Sequence, residues 1–127
     1  MYTNPIMPGQ SAVFDISFDP NPVYEGYSNT YSFKVIIDEI NGVGADIQSI
    51  KIEYIGDDGE VWRTDDWDYY DIARNFGTNR IEAMGRLMTR VKIEDCYYCT
   101  RQNWLVRAED DYGTHVEDSD NIEFLSR

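Results

Sequence analysis

The chain has 127 residues, 42% hydrophobic and 14% aromatic, so it can bury one hydrophobic core and is too aromatic for a disordered protein. Its net charge of −13 disfavours nucleic acid and anionic membranes as partners, because both are negatively charged themselves. No apolar run is long enough for a transmembrane helix, and no export signal is visible at the start. We therefore expect one domain with no membrane insertion and no nucleic-acid partner. The sequence also fits an excised segment of an exported protein.

The first half of the chain alternates strand patterns with turn signals. Residues 1–11 contain Pro5, Pro8 and Gly9 without periodicity, which is typical of a flexible lead-in. Period-two alternation then predicts three strands with these buried residues: Phe14, Ile16 and Phe18; Tyr31, Phe33, Val35 and Ile37; Ile50, Ile52 and Tyr54. Gly56-Asp-Asp-Gly59 predicts a hairpin into a fourth strand through Val61–Arg63, because tight turns favour Gly and Asp.

The segment from Thr64 to Arg86 is the least regular part of the sequence. Its apolar residues are spaced as in short helical turns, but Gly77 and Gly85 interrupt any long helix. We expect loops with a helical turn or a short edge strand there. Alternation returns after this insertion and predicts three further strands, at Met88–Ile93, at Asn103–Ala108 and around Ile122 and Phe124.

About seven short strands with Gly-, Pro- and Asp-rich turns predict an all-β antiparallel sandwich over residues 12–127. The run Trp104-Leu-Val-Arg-Ala-Glu-Asp-Asp-Tyr-Gly113, followed by Ile122-Glu-Phe124, resembles the last two strands of prokaryotic immunoglobulin-like surface modules. In these PKD-like, fibronectin-III-like and bacterial Ig-like repeats the penultimate strand commonly ends in an A-x-D-x-x-G turn. Residues Phe18–Gly26, before the strand at Tyr31–Ile37, resemble the connection between the first and second strands of these modules. The resemblance implies an immunoglobulin-like sandwich, extracellular or at the cell surface, with an irregular insertion at about 64–86.

Cys96 and Cys99 form a C-x-x-C motif with several possible uses. A zinc site would need two more nitrogen or sulfur ligands, and only His115 remains. A redox motif of the thioredoxin type belongs at the start of a helix, whereas these cysteines precede a predicted strand. We predict a local disulfide, typical of an oxidising compartment, with unpaired thiols as the alternative.

Acidic clusters in the predicted loops raise the possibility of calcium. Calcium prefers several carboxylate and carbonyl oxygens that converge from flexible loops. In Glu117-Asp-Ser-Asp-Asn121 the side chains of Asp118 and Asp120 could supply them, joined by Asp110 or Asp111 from across the hairpin. EF-hand spacing is missing from the sequence. The alternative is that these loops are simply solvated.

Aromatic residues mark a second candidate site. Trp67, Tyr69 and Tyr70 alternate with carboxylates, and this mixture suits a carbohydrate-binding face, where rings stack on sugars and carboxylates bind hydroxyl groups. Tyr97 and Tyr98 could extend that face. The same residue types are enriched at protein–protein interfaces, or could cap the ends of the sandwich.

Basic residues are unevenly distributed along the chain. Seven of the eleven lie between positions 74 and 107, namely Arg74, Arg80, Arg86, Arg90, Lys92, Arg101 and Arg107. A module with one relatively basic edge could stack on copies or neighbouring domains. We favour the alternative, in which opposite charges on adjacent strands neutralise each other.

Motifs of catalysis are missing from the sequence: it has no nucleophile elbow, phosphate loop or pair of metal-binding histidines. We therefore predict a non-catalytic structural or binding module of a surface, secreted or virion-associated protein, which spaces domains, adheres or binds a protein. The alternatives are a carbohydrate-binding module that binds polysaccharide through Trp67, Tyr69 and Tyr70, and a calcium-stabilised adhesion repeat.

Overall fold

A computed structural model describes residues 10–94, 96 and 99–126. In chain order its elements are β1 (Phe14–Asp19), β2 (Val23–Tyr24), β3 (Tyr31–Glu39), β4 (Ala45–Ile55), β5 (Val61–Trp67), α1 (Tyr69–Phe76), β6 (Arg80–Ile81), β7 (Arg86–Ile93), β8 (Arg101–Asp110) and β9 (His115–Leu125). The strands form a three-stranded sheet in the order β1-β3-β7 and a larger sheet in the order β2-β9-β8-β4-β5, with β6 paired to β4. The chain is an all-β, two-layered sandwich.

The core lies between the inner faces of the two sheets. Along β3 and β8 every second side chain is buried, which is the pattern of strands with one solvated face. Trp104 on β8 is fully buried and meets the rings of Phe18 and Trp67 edge-on, at centroid distances of 6.0 and 5.3 Å. The β8–β9 hairpin therefore supplies the centre of the core, as its alternation predicts.

Strand β4 begins earlier than its sequence pattern indicates. It starts at Ala45, five residues before the predicted strand, and pairs with β8 across a bulge between Ile47 and Ser49. A bulge adds one residue and so shifts the inward phase. Ala45 and Ile47 point into the core, as does Ile50, but the two groups are out of phase by one residue. The alternation therefore looks broken in the sequence although the strand continues.

The predicted irregular insertion is shorter than 64–86. Strand β5 runs on to Trp67, and α1 follows with a capping box between Asp68 and Asp71 and a left-handed Gly77 at its end. The cap satisfies free N–H groups at the helix start. Ile72 is fully buried where α1 packs against β4, β5 and β7. The predicted helical turn is present, whereas the boundary at Thr64 is wrong because the acidic residues of this stretch lie on a strand.

In the part of the chain that the structure describes, no helix is both long and apolar enough to cross a membrane. The predicted lead-in is described only at its end, where Gln10 donates a hydrogen bond to the Tyr112 hydroxyl and Ser11 accepts one from Asn41. Residues 1–9 lie outside the described residues.

Glu39, at the end of β3, is a buried carboxylate with only 1% of its surface exposed. Its two oxygens accept five backbone N–H groups at 2.7 to 3.1 Å, from Val13, Asn41, Gly42, Val43 and Met84. Burial alone would raise the pKa of Glu39, but the backbone hydrogen bonds outweigh it and lower the pKa. One side chain thus joins three loops at the same end of the sandwich.

Candidate functional site

The structure joins Cys96 and Cys99 by a disulfide, with their Cα atoms 5.4 Å apart. Cys96 is buried against the core, and its N–H donates to the carbonyl of Asn29 at 3.4 Å. The bridge therefore closes a short loop before β8, and the Cys96 hydrogen bond joins this loop to the loop before β3. Tyr97 and Tyr98, which the sequence offers as binding residues, lie outside the described residues.

Two of the predicted calcium ligands bind backbone N–H groups in or just before the first strand. Asp110 accepts the N–H of Ala12 at 3.0 Å through one oxygen, and through the other it accepts two N–H groups of its own hairpin turn at 2.9 Å. Asp118 on β9 accepts the N–H of Phe14 at 2.9 Å. These carboxylates attach β1 to the larger sheet.

The other two candidate ligands point elsewhere. Asp111 receives two hydrogen bonds from Arg80, at 2.6 and 2.8 Å, and this guanidinium lowers the pKa of the Asp111 carboxyl. Asp120 accepts the N–H of Asn121 beside it at 2.8 Å. Within residues 10–94, 96 and 99–126, no three His, Cys, Asp or Glu side chains converge as metal ligands would. Calcium binding stays a prediction.

The predicted aromatic site divides into two environments. Trp67 packs against the core, edge-on to Phe76 and Trp104, with centroids 6.5 and 5.3 Å apart. Tyr69 and Tyr70, on the first turn of α1, are exposed and lie against each other with centroids 4.2 Å apart. Of the predicted binding residues that the structure describes, only Trp67 lines the groove that follows.

A groove opens on the side of the sandwich where β5 and β7 are the edge strands. Helix α1 packs against both strands, and beside it a groove of about 340 Å³ remains open to solvent. We call it the β5–β7 groove; it is lined by Tyr54, Arg63, Trp67, Asn75, Arg90, Val91, Lys92, Ile93 and Glu94. It combines cations, aromatic rings and apolar side chains.

The β5 wall of the groove holds a fixed polar network. The Tyr54 hydroxyl donates to Asp65 at 3.0 Å, and Arg63 donates to both oxygens of the same carboxylate at 3.2 and 3.3 Å. The guanidinium carbon of Arg63 lies 4.9 Å from the centre of the Tyr54 ring. Burial, and then the charge of Asp65, raise the pKa of Tyr54 to about 12. The phenol therefore stays a neutral donor, and Arg63 is held over the ring.

The β7 wall presents two kinds of side chain. Arg90 and Lys92 are exposed on the outer face, whereas Val91 and Ile93 are half-buried and point toward the groove. Lys92 pairs with Glu94 at 3.2 Å. Across from Arg90 on β3 lies another cation, Lys34. This part of an acidic protein therefore carries a local excess of positive charge.

Five of the seven cations of the basic segment pair with carboxylates, and the pairs of Arg86 and Arg107 join adjacent strands as the favoured interpretation predicts. Salt bridges join Arg74 to Asp71, Arg80 to Asp111, Arg86 to Asp38, Lys92 to Glu94, and Arg107 to Glu117. Arg90 forms none with any residue that the structure describes. The uneven distribution of basic residues was the only signal in the sequence that pointed to Arg90 and Lys92. Nothing in it pointed to Tyr54 or Arg63 as site residues.

No family model matches the chain, and no curated protein matches it either. Among solved structures, the Northeast Structural Genomics Consortium target SoR45 is similar, with a TM-score of 0.59 and 10% identity over 90% of this chain and 87% of that chain. The alkylpurine DNA glycosylase AlkC of Pseudomonas fluorescens gives 0.48 and 12% over 93% of this chain and 31% of its own. Spo0M of Bacillus subtilis gives 0.44 and 11% over 93% and 51%. The likeness to SoR45 supports the fold alone.

Proposed function

We propose that this chain is a non-catalytic protein-binding module and that the β5–β7 groove is its recognition surface. The observation that carries the proposal is the groove itself, an opening of about 340 Å³ between two edge strands that is lined by aromatic, apolar and cationic side chains. Binding sites are typically concave and combine apolar walls with a few oriented polar groups. Here Arg63 and Tyr54 are oriented by Asp65.

The ring geometry favours a protein over a polysaccharide as the partner. Sugars stack on the flat face of an aromatic ring, and the two rings in the groove are already engaged. Arg63 lies over the Tyr54 ring, and Trp67 packs among Phe76 and Trp104. The exposed Tyr69 and Tyr70 lie outside the lining of the groove.

We further propose that the sandwich is an immunoglobulin-like module of a surface, secreted or virion-associated protein. Two features support this setting. The described residues include seven strands of six or more residues in two sheets, and a disulfide joins Cys96 to Cys99. Disulfides persist mainly in oxidising, extracytoplasmic compartments.

The test uses a displayed library of random linear peptides, panned on the wild-type protein and counter-selected on Asn75→Trp. Asn75 is exposed on α1 and lines the groove, so a tryptophan there obstructs the groove without disturbing the core. Thr78→Trp is the matched control, because Thr78 is also exposed but does not line the groove. Selected peptides should bind the wild type and Thr78→Trp, and shift amide NMR signals of Arg90–Ile93.

Two results would overturn the proposal. Selected peptides that bind Asn75→Trp as tightly as the wild type would place recognition elsewhere. Affinity electrophoresis against a polysaccharide panel provides the second result. Retardation of the wild type that Asn75→Trp removes and Thr78→Trp keeps would make the groove a carbohydrate site.

A further inference from the structure

We propose that the ligand of the β5–β7 groove is an extended acidic segment of a partner protein, which adds to β7 as a fourth strand of the smaller sheet. This inference rests on the proposed role of the groove as the binding surface. Beyond that role, the inference specifies that the ligand is extended, that it is acidic and that its residue types alternate.

The backbone of β7 is the first reason. Among the described strands, β7 pairs only with β3, so its other edge offers a row of N–H and C=O groups beside the groove. An extended peptide binds such an edge through main-chain hydrogen bonds.

The two edges of the smaller sheet differ in a way that supports this assignment. At the opposite edge, carboxylates from the larger sheet take backbone N–H groups, since Asp118 accepts from Phe14 at the start of β1 and Asp110 accepts from Ala12 just before it. At the β7 edge, the strand itself carries the cations Arg90 and Lys92. Of the two edges of the smaller sheet, only β7 therefore lies beside the groove.

Charge complementarity sets the chemistry of the ligand. A strand added to β7 places every second side chain on the outer face, beside Arg90 and Lys92, with Lys34 one strand further. Opposite charges on adjacent strands stabilise their pairing, and like charges oppose it. The outward positions of the ligand are therefore Asp or Glu.

The inner positions of the ligand have a different character. The inward side chains of β7 here are Val91 and Ile93, with Trp67 on the facing wall. Apolar side chains of the ligand would cover these groups and remove apolar surface from water. The preferred ligand alternates acidic and apolar residues, for example Glu-Val-Glu-Ile-Glu-Val-Glu-Ile.

The probe is that peptide, labelled with fluorescein and measured by fluorescence anisotropy on the full chain. Three peptides of the same length serve as comparisons. One has Lys in place of Glu and tests the charge of the ligand. The other two are N-methylated, one at the odd-numbered and one at the even-numbered amides, and test main-chain hydrogen bonding. The Glu peptide should bind, the Lys peptide should not, and only one of the two methylated peptides should lose affinity. Rising salt should weaken binding, because the charges are exposed.

The variants Arg90→Glu and Lys92→Glu should each lower the affinity for the Glu peptide about tenfold. Lys51→Glu is the matched control, because it makes the same charge change on the outer face of the larger sheet. If all three variants lose the same affinity for the Glu peptide, the effect depends only on the net charge of the protein, and the inference is overturned. Equal loss with both methylated peptides, or with neither, would overturn strand addition.

One combination of results separates this inference from the proposed function. If library peptides bind the groove but the Glu peptide does not, the groove remains the recognition surface, and the inference of an acidic ligand is wrong. Arg90 and Lys92 would then serve only to protect an edge strand from unwanted pairing. If Asn75→Trp leaves all peptide binding intact, both proposals fail.

Discussion

Arg80 and Asp111 form a bidentate ion pair, with hydrogen bonds of 2.6 and 2.8 Å, directly over the backbone of Gly44. The Gly44 carbonyl also accepts the N–H of Asp111 at 3.0 Å. A Cβ atom at Gly44 would lie 2.8 Å from the Asp111 carboxylate, closer than such contacts allow. The pair therefore ties β6 to the β8–β9 turn only because residue 44 has no side chain.

Gly44→Ala should displace this ion pair and lower the free energy of unfolding by about 1 kcal/mol, the upper range for a pair that remains partly solvated. In an Arg80→Ala background the same change should cost much less, because the guanidinium is already gone. Urea unfolding of the four proteins of this double-mutant cycle measures the coupling. Additive effects would show that Gly44 serves the backbone and not the pair.

Asp118→Ala should loosen the attachment of β1 to the larger sheet. Removing the acceptor of the Phe14 N–H should cost about 1.5 kcal/mol and speed hydrogen exchange at that amide. Asp120→Ala is the control, since Asp120 bonds only to the neighbouring Asn121 N–H. Melting in EDTA and in calcium completes the test. A loss from Asp118→Ala that appears only with calcium would support the calcium-stabilised repeat instead.

Glu39→Gln should be among the costliest single changes in the chain, at roughly 3 kcal/mol near neutral pH, because an amide cannot accept all five N–H groups. The pKa of Glu39 is lowered from its ordinary 4.5, so its contribution is present above that value and disappears as the pH falls through the folded-state pKa. Urea unfolding from pH 7 to pH 3 should show the two proteins converging in acid. A constant difference would contradict this.

Tyr54→Phe should alter stability in alkali. The pKa of Tyr54 is raised from 10.0 to about 12, so the folded protein holds this proton more tightly, and the resulting stability is lost as the pH rises from 10 to 12. The phenylalanine variant lacks that loss and should show a flatter pH dependence. Denaturation midpoints at pH 8, 10 and 11 test this, with Tyr70→Phe on the surface as the control. Parallel curves for wild type and Tyr54→Phe would show that the pKa of Tyr54 is not raised in the folded protein.

The sandwich could be predicted from the sequence because its strands have one buried and one solvated face. Alternation located β1, β3, β7 and β8 within a few residues. Helix α1 gave a weaker signal, since Ile72 is its one buried residue and an apolar stripe needs several. The alternation predicts too short a strand β4, because its bulge shifts the buried positions by one residue.

The groove could not be predicted in the same way. Its lining comes from positions 54, 63, 67, 75 and 90–94, and these meet only because β7 and β5 are edges on the same side of two sheets. Alternation shows which face of a strand is buried but not which strands are edges. The hydrogen-bond partners of the acidic residues could not be predicted for a related reason. Asp110 and Asp118 occur in a loop-like acidic pattern, yet each serves a backbone N–H distant in sequence.

The position of Glu39 in the chain has a kinetic consequence. Its partners include Met84, which is 45 residues away in sequence, and Val13, which is 26 residues away on the other side. The carboxylate gains these two of its five hydrogen bonds only after β1 and β7 have paired with β3, since distant contacts require long loops to close first. These two hydrogen bonds should therefore form late in folding. The loss of Glu39 should speed unfolding more than it slows folding.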